Sequence, residues 1–562
     1  MMNNRYVNNG HAKQRAILKR ADKQVVHITC SCLGSLVFVS EISDEKRLRA
    51  SGMISKSFFV SILKRCKIVL IVSFLWFLAT MVFVVLNREK AVDHETAVEY
   101  FEKQVIAVQT GFYYNSSVFY PDNTIVLLFF GDIKLNSTGF ACVTGNETIS
   151  TNTTARIRSV AAKTAICRWT TYILTCPSVM NPSNFHLTIH NLPSNITIPL
   201  ELPSRKPRGI VACYAPMFYE QRWQVVTMIH ELNAGFGVDF QVHYVQSVVG
   251  EVMELLDPMV KQGLLELRGL DIPDYGIELT RKLGYNPAQA TEARHQVMAL
   301  QDCYFRYRES AEFIMISDPD DLFLPHKGDN LYDEFSYWKN MAPTASAWTF
   351  SRNFSYIATT SRLETFSVAD TLNSIYLTER SEVGKSVYNP KYAETPWIHW
   401  PGLNNTPTFV VPYGESYGVH LKYNYDEPPM KTNYTKNIAK VVDVTRFENH
   451  TFIDYNIAKA TITDLADPSL EYAEWITVCR NRIHRLYQIP VLMTYPKMCT
   501  TVTSCSLPDR NVNCTVAVRS YKTKCTQDQR ICAMLPDTVL SNFVKRSNGC
   551  AWGITMPSVA KN

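Results

Sequence analysis

The chain has 562 residues, 46% of them apolar, and a formal charge of +6. That charge is unevenly placed: residues 1–67 hold 13 Lys/Arg against 4 Asp/Glu, a net +9, which leaves −3 on the 495 residues that follow. The basic balance belongs to a tail, so a nucleic-acid-binding surface on the rest of the chain is excluded.

Residues 68–86 are 19 consecutive residues without a charge, about the length needed to cross a bilayer core of roughly 30 Å as a helix. Lys56, Lys64, Arg65 and Lys67 precede them, and the positive-inside rule puts such a flank in the cytoplasm. No Asn-x-Ser/Thr sequon precedes the run. Ten follow it, at Asn115, Asn136, Asn146, Asn152, Asn195, Asn353, Asn404, Asn433, Asn449 and Asn513. Such sites are modified only on the lumenal side, so the pattern predicts a single-pass type II membrane protein. A cleaved signal peptide is not expected, because the apolar run starts deep inside the chain. The earlier run 25–40 is broken by His27 and Gly34 and is not counted as a span.

Cysteine usage fits that compartment. Cys30, Cys32 and Cys66 lie before or beside the span, and twelve lie beyond it, seven of them between Cys479 and Cys550. An even number beyond the span predicts disulfides, and the lack of a Cys-x-x-Cys pair argues against zinc. The expected organisation is a cytoplasmic tail (1–67), the span (68–86), a small β-rich stem (87–205), a chemistry-bearing domain (206–460) and a Cys-rich tail (461–562). The stem shows strand-like runs at 124–130 and 185–189, with Cys142, Cys167 and Cys176 available for one bridge. The Cys-rich tail has little apolar material and is expected to depend on its disulfides.

From residue 206 onward strands and helices alternate. A strand is predicted over 210–214, and a helix from 220 with Val225, Ile229 and Leu232 on one face, ending at Gly235 or Gly237. A strand follows at 240–245, a helix at 251–262, a strand at 264–267 and a longer helix at 289–308. This order predicts an α/β fold whose mostly parallel sheet is flanked by helices, with the ligand outside the carboxyl ends of the strands.

One such end carries the sharpest motif, Phe313-Ile-Met-Ile-Ser-Asp318-Pro-Asp320-Asp321. An apolar strand delivers three carboxylates to the sheet edge. In an extended segment alternate residues point the same way, so Asp318 and Asp320 are expected to share one ion. Hard oxygen ligands suit Mn²⁺ or Mg²⁺. An ion there would neutralise charge on a departing diphosphate, which implies a nucleotide-sugar substrate. Asp-Pro is also a common turn opener.

Together with Val211-Ala-Cys-Tyr-Ala-Pro216, Trp223, Arg294-His-Gln296 and Gln301-Asp-Cys-Tyr-Phe-Arg306, this motif resembles glycosyltransferase family 92. The resemblance covers about 206–450. It implies a GT-A-like Rossmann-type mixed sheet, a divalent metal, a Golgi-type membrane anchor, and inverting transfer of a hexose, galactose in characterised members, from a UDP-sugar to a glycan or glycoprotein acceptor. Carried over by position, Asp318 and Asp320 would hold metal and diphosphate, and Gln296 and Asp302 would lie on the helix that supports them. Two departures stand out: Asp321 replaces the usual Glu, and Pro319 lies inside the motif with its φ fixed near −65°. The late His-Tyr-Arg element corresponds to Tyr417-Gly-Val-His420-Leu-Lys422-Tyr423, so His420 becomes a further metal ligand or Lys422 a phosphate contact. The segment holding Lys385, Pro390 and His399 is implied to border the acceptor.

An inverting displacement needs a base for the acceptor hydroxyl, and Glu415, Asp426 and Glu427 flank His420 as candidates. Gly414-Glu-Ser416-Tyr-Gly418 also matches a nucleophile elbow, but that motif requires a helix next, and β-forming residues follow instead. The competing reading is a lumenal glycan-binding glycoprotein, weakly active or inactive as a transferase.

Overall fold

The computed structural model describes residue 76 and residues 104–135, 139–160, 167–189, 196–291, 295–403, 407–425, 434–448, 450–462, 465, 512–525 and 531–550. The predicted cytoplasmic tail, the predicted span apart from Trp76, and residues 466–511 lie outside the described residues. Among the described residues no helix is long and apolar enough to cross a membrane. Those from 104 onward belong to one compact unit.

The stem is β-rich. Thr124–Asp132 reads Thr-Ile-Val-Leu-Leu-Phe-Phe, β-branched and aromatic residues that suit a strand buried on both faces. It lies in a six-stranded sheet whose order is Tyr521–Cys525, Ile531–Pro536, Gln104–Tyr114, Thr124–Asp132, Trp169–Pro177 and Arg156–Ser159. A four-stranded sheet around Phe140–Gly145 packs with it, and the Cys142–Cys176 disulfide ties the two together. Two strands of the six come from the Cys-rich tail, Ile531–Pro536 pairing in parallel with Gln104–Tyr114. A third tail strand, Cys514–Val518, pairs with Ser247–Val249 of the central region. The tail is therefore woven into both neighbouring regions.

The central sheet has ten strands. In chain order they are β1 (Arg208–Met217), β2 (Phe240–Val245), β3 (Leu265–Gly269), β4 (Ala311–Ser317), β5 (Asp321–Phe323), β6 (Ala347–Thr359), β7 (Tyr376–Tyr388), β8 (Thr408–Val410), β9 (Gly418–Tyr425) and β10 (Tyr434–Asn437). The main path is β3-β2-β1-β4-β7-β6-β9-β5, with β8 beside β6 and β10 beside β7. Strands β3, β2, β1 and β4 run parallel. Beyond β4 the sheet turns antiparallel at β7.

Helices α1 (Trp223–Gly235), α2 (Gly250–Lys261), α3 (Gln296–Tyr307) and α4 (Leu331–Met341) connect these strands. The apolar face of α1, including Val225, Ile229 and Leu232, is buried. The expected helix at 289–308 is split: Pro287–Ala290 forms a separate turn, and α3 begins at Gln296. The Cys213–Cys303 disulfide fastens α3 to β1.

One close approach fixes a residue type beside the site. A Cβ added at Gly384 on β7 would lie 1.4 Å from the carbonyl oxygen of Phe350 on β6, so only glycine fits where the two strands shift register.

Candidate active site

The acidic motif stands at the carboxyl end of β4, beside β1, where ligands of parallel α/β sheets are expected. It is not extended. The Asp321 amide donates to the Asp318 carbonyl at 3.1 Å, closing a turn over Asp318-Pro319-Asp320-Asp321, with proline at its favoured second position. The alternation expected of an extended segment fails here. Among the described residues, the carboxylates grouped with a histidine are Asp320 and Asp321, while Asp318 is engaged by Gln296 and Lys385.

Asp318 is already held. Gln296 Nε2 donates to its Oδ1 at 2.6 Å, and Lys385 Nζ to its Oδ2 at 2.7 Å. Burial pushes this carboxyl up, but Lys385 and Arg352 outweigh it and hold the carboxyl below its ordinary range. Buried Asp321 bonds Arg352 Nη1 and lies 3.7 Å from Lys385 Nζ. Its burial dominates and lifts the pKa to about 6, against the opposing pull of Lys385 and Arg352. Asp320 accepts from Arg222 Nη1 at 3.1 Å, and Arg222 is itself braced by Glu220 at 2.7 Å.

Strand β9 runs antiparallel to β5 and places His420 opposite Asp321. One ligand atom each from Asp320, Asp321 and His420 lies within 4.8 Å of the others. His420 Nδ1 is 2.7 Å from Glu382 Oε2. An ionised carboxylate can only accept, so this contact assigns the proton to Nδ1. The Nε2 lone pair is then available, 3.9 Å from Asp320 Oδ2. A carboxylate that orients a histidine in this way is the usual support of a metal-binding imidazole. Five carboxylates (Glu220, Asp318, Asp320, Asp321, Glu382) meet Arg222, Arg352 and Lys385, with Arg380 at the exposed rim. Two oxygen donors, one nitrogen donor and an excess of negative charge fit a divalent cation such as Mn²⁺.

Several expected residues are engaged by other partners. Glu415 is exposed and paired with Lys327 at 2.9 Å. Asp302 does lie on α3 with Gln296, as expected, and its buried contacts with Arg268, Arg306 and Tyr244 anchor that helix. Asp426, Glu427 and the side chain of Lys422 lie outside the described residues, as do Asn136, Asn195, Asn404, Asn433 and Asn449. Asn115, Asn152 and Asn513 are exposed and Asn146 is half-buried. Asn353, in contrast, is buried in β6 and accepts from Tyr413 at 2.7 Å. It has no room for a glycan in this fold. Ser416 is fully buried and is followed by β9, not by a helix, so the nucleophile-elbow context is missing.

Glu382, Arg352, Arg222, Glu220 and Arg380 were not singled out as site members from sequence. Arg222 directly precedes Trp223, and that proximity is the only local signal for any of them. Glu382 and Arg352 come from the antiparallel pair β6/β7, whose approach to β5 depends on sheet order.

Residues 208–459 match the sequence profile of Glycosyltransferase family 92. Two curated relatives from Caenorhabditis elegans are similar to the chain. Glycosyltransferase family 92 protein F13G3.3 is 26% identical over 442 residues, covering 77% of this chain and 83% of the relative. Glycosyltransferase family 92 protein F59C6.8 is 27% identical over 301 residues, 52% of this chain and 57% of the relative. Among solved structures, S. aureus TarS 1-349 in complex with UDP aligns over 50% of this chain and 72% of its own at 10% identity, with a TM-score of only 0.21. Residues 208–459 are thus similar to glycosyltransferase family 92, in the region where the sequence motifs carry the same resemblance.

Proposed function

We propose that this glycosyltransferase moves a hexose, galactose by the family resemblance, from a UDP-sugar to a glycan or glycoprotein by inverting displacement on a GT-A-like fold. The observation that carries the reading is the gathering of Asp320, Asp321 and His420 at the carboxyl end of the parallel strands. These residues would hold a divalent cation, Mn²⁺ or Mg²⁺, which when bound neutralises charge on the leaving diphosphate.

The chain's own residues do the rest. Glu382 keeps the His420 Nε2 lone pair toward the carboxylates. Arg222, braced by Glu220, orients Asp320. Lys385 and Gln296 immobilise Asp318, so the turn keeps its shape without a bound ion. Asp426 and Glu427 are the proposed bases for the acceptor hydroxyl. Residues 68–86 are proposed to anchor the protein in a Golgi-type membrane as a single type II span, with the catalytic region in the lumen.

The test incubates the protein with a panel of UDP-sugars and Mn²⁺ and measures UDP release with and without a chelator. Chelator-sensitive release with one donor supports the proposal. The second reading, a lumenal glycan-binding protein without transfer, draws on Asp318, whose two oxygens are already filled from within the chain. No release with any donor selects it, whereas release indifferent to the chelator keeps the enzyme and overturns the metal site.

A further inference from the structure

Beside the carboxylates lies a loop, residues 395–403, whose backbone is fastened to the core along its length. Gln301 Nε2 donates to the Pro396 carbonyl at 2.6 Å and the Tyr388 hydroxyl to that of Trp397 at 3.0 Å. Lys385 Nζ reaches the Ile398 carbonyl at 3.2 Å and Ser386 Oγ that of His399 at 2.5 Å. The loop is closed at its base by the Gly402 amide on the Thr395 carbonyl at 3.0 Å. Every one of these tethers comes from β7 or α3 or from the loop itself, so the segment is held still.

What the loop presents is aromatic. Trp397, His399 and Trp400 pack with ring centroids 4.9–5.8 Å apart, and Trp400 is 45% exposed. The His399 Nδ1 hydrogen is committed to the Gly384 carbonyl at 2.8 Å, which leaves Nε2 as an acceptor. Burial, and next Lys385, push this imidazole down to about 4, so it is neutral near pH 7. An indole left nearly half in water by a rigid backbone gives up part of the burial that folding could supply; it is an arrangement suited to a surface that binds a flat, partly apolar ligand. Lys385 connects it to the carboxylates, since the same Nζ that binds Ile398 binds Asp318 at 2.7 Å.

We propose that Trp400, with Trp397 and His399, is the platform for a pyranose ring of the acceptor glycan, the indole covering the C–H face of the sugar and His399 Nε2 accepting from a ring hydroxyl. The proposal rests on the transferase reading of the neighbouring carboxylates, and two measurements separate its failure from the failure of that reading. In the first, Trp400→Ala and Trp400→Phe are compared in the full chain with the donor and acceptor that support transfer. The Ala variant raises the acceptor KM on the order of tenfold, the size of a lost aromatic contact. The Phe variant restores most of it, and the donor KM moves far less. Equal rises in both KM values, or an unmoved acceptor KM, overturn the platform. In the second, which needs no transfer, indole N–H signals of the wild-type chain are followed as methyl β-galactoside, methyl α-fucoside and methyl β-N-acetylglucosaminide are added. Saturable shifts that vanish in Trp400→Phe/His399→Gln support the platform, and signals that ignore all three sugars up to about 50 mM overturn it.

Discussion

Lys385 Nζ reaches Asp318 at 2.7 Å from a side chain that is 3% exposed. A lysine this buried is retained because its charge is answered. The pair therefore holds the turn over residues 318–321 in shape, and neither partner is spare.

Removing the cation alone leaves Asp318 with the Gln296 amide and Asp321 with Arg352. Lys385→Met is expected to lose about 1–3 kcal/mol of stability, less than a fully buried pair would because Asp318 is partly open to solvent. Adding Asp318→Asn to that variant is expected to recover part of the loss. Thermal unfolding of the single and double variants reads this directly; a double variant no more stable than Lys385→Met rules the pair out as the cause.

The raised pKa of Asp321, about 6, would give the proposed metal site a pH dependence. Above that value the carboxylate is a ligand, and below it a proton competes. The Mn²⁺ concentration needed for half-maximal UDP release is expected to climb about tenfold per unit as pH falls below 6. Titrations at pH 5, 6 and 7 check it, and a constant half-maximal concentration contradicts it.

Glu231 on α1 supplies a stability test remote from the chemistry. It accepts the Phe452 and Ile453 amides at 2.9 and 2.8 Å. Burial nevertheless lifts it from 4.5 to about 7, with the two amides pulling the other way. Its folded pKa is raised, so the stability it contributes is fully present below pH 4.5 and is lost as pH rises through 7. Glu231→Gln stays neutral and can still accept an amide, so the variant should gain on the wild type across that window by at most about 3 kcal/mol. Melting curves that stay parallel from pH 4.5 to 8 exclude the effect.

Sequons differ in what the fold allows. Asn353 is buried and bonded to Tyr413, whereas Asn152 and Asn513 are exposed. Glycopeptide mapping of protein made in a secretory host is expected to find Asn353 unmodified and the other two occupied. A glycan on Asn353 would refute the placement of β6.

Local pattern carried the parallel half of the central sheet. The run 240–245 alternates strongly enough that β2 has those same bounds, and α2 is displaced from the expected helix by one residue at each end. The motif itself was legible as chemistry but not as geometry. Asp318-Pro319 signals both a strand end and a turn, and the turn prevailed, so Asp321 took the place expected of Asp318 beside Asp320 and His420. Glu382 could not be found by spacing, because its approach to His420 depends on which strands of an antiparallel extension become neighbours. The pairing of Ile531–Pro536 with Gln104–Tyr114 was hidden for the same reason, as no local signal links segments so far apart.

That last pairing bears on how the polypeptide is made. The strand at Gln104–Tyr114 emerges from the ribosome early, but one of its edges is filled only when residues near the C-terminus have followed. Until then that edge is open to other chains. Newborn molecules should accordingly need chaperone cover throughout translation, and a premature stop codon before Ile531 should yield aggregates and not a shortened enzyme.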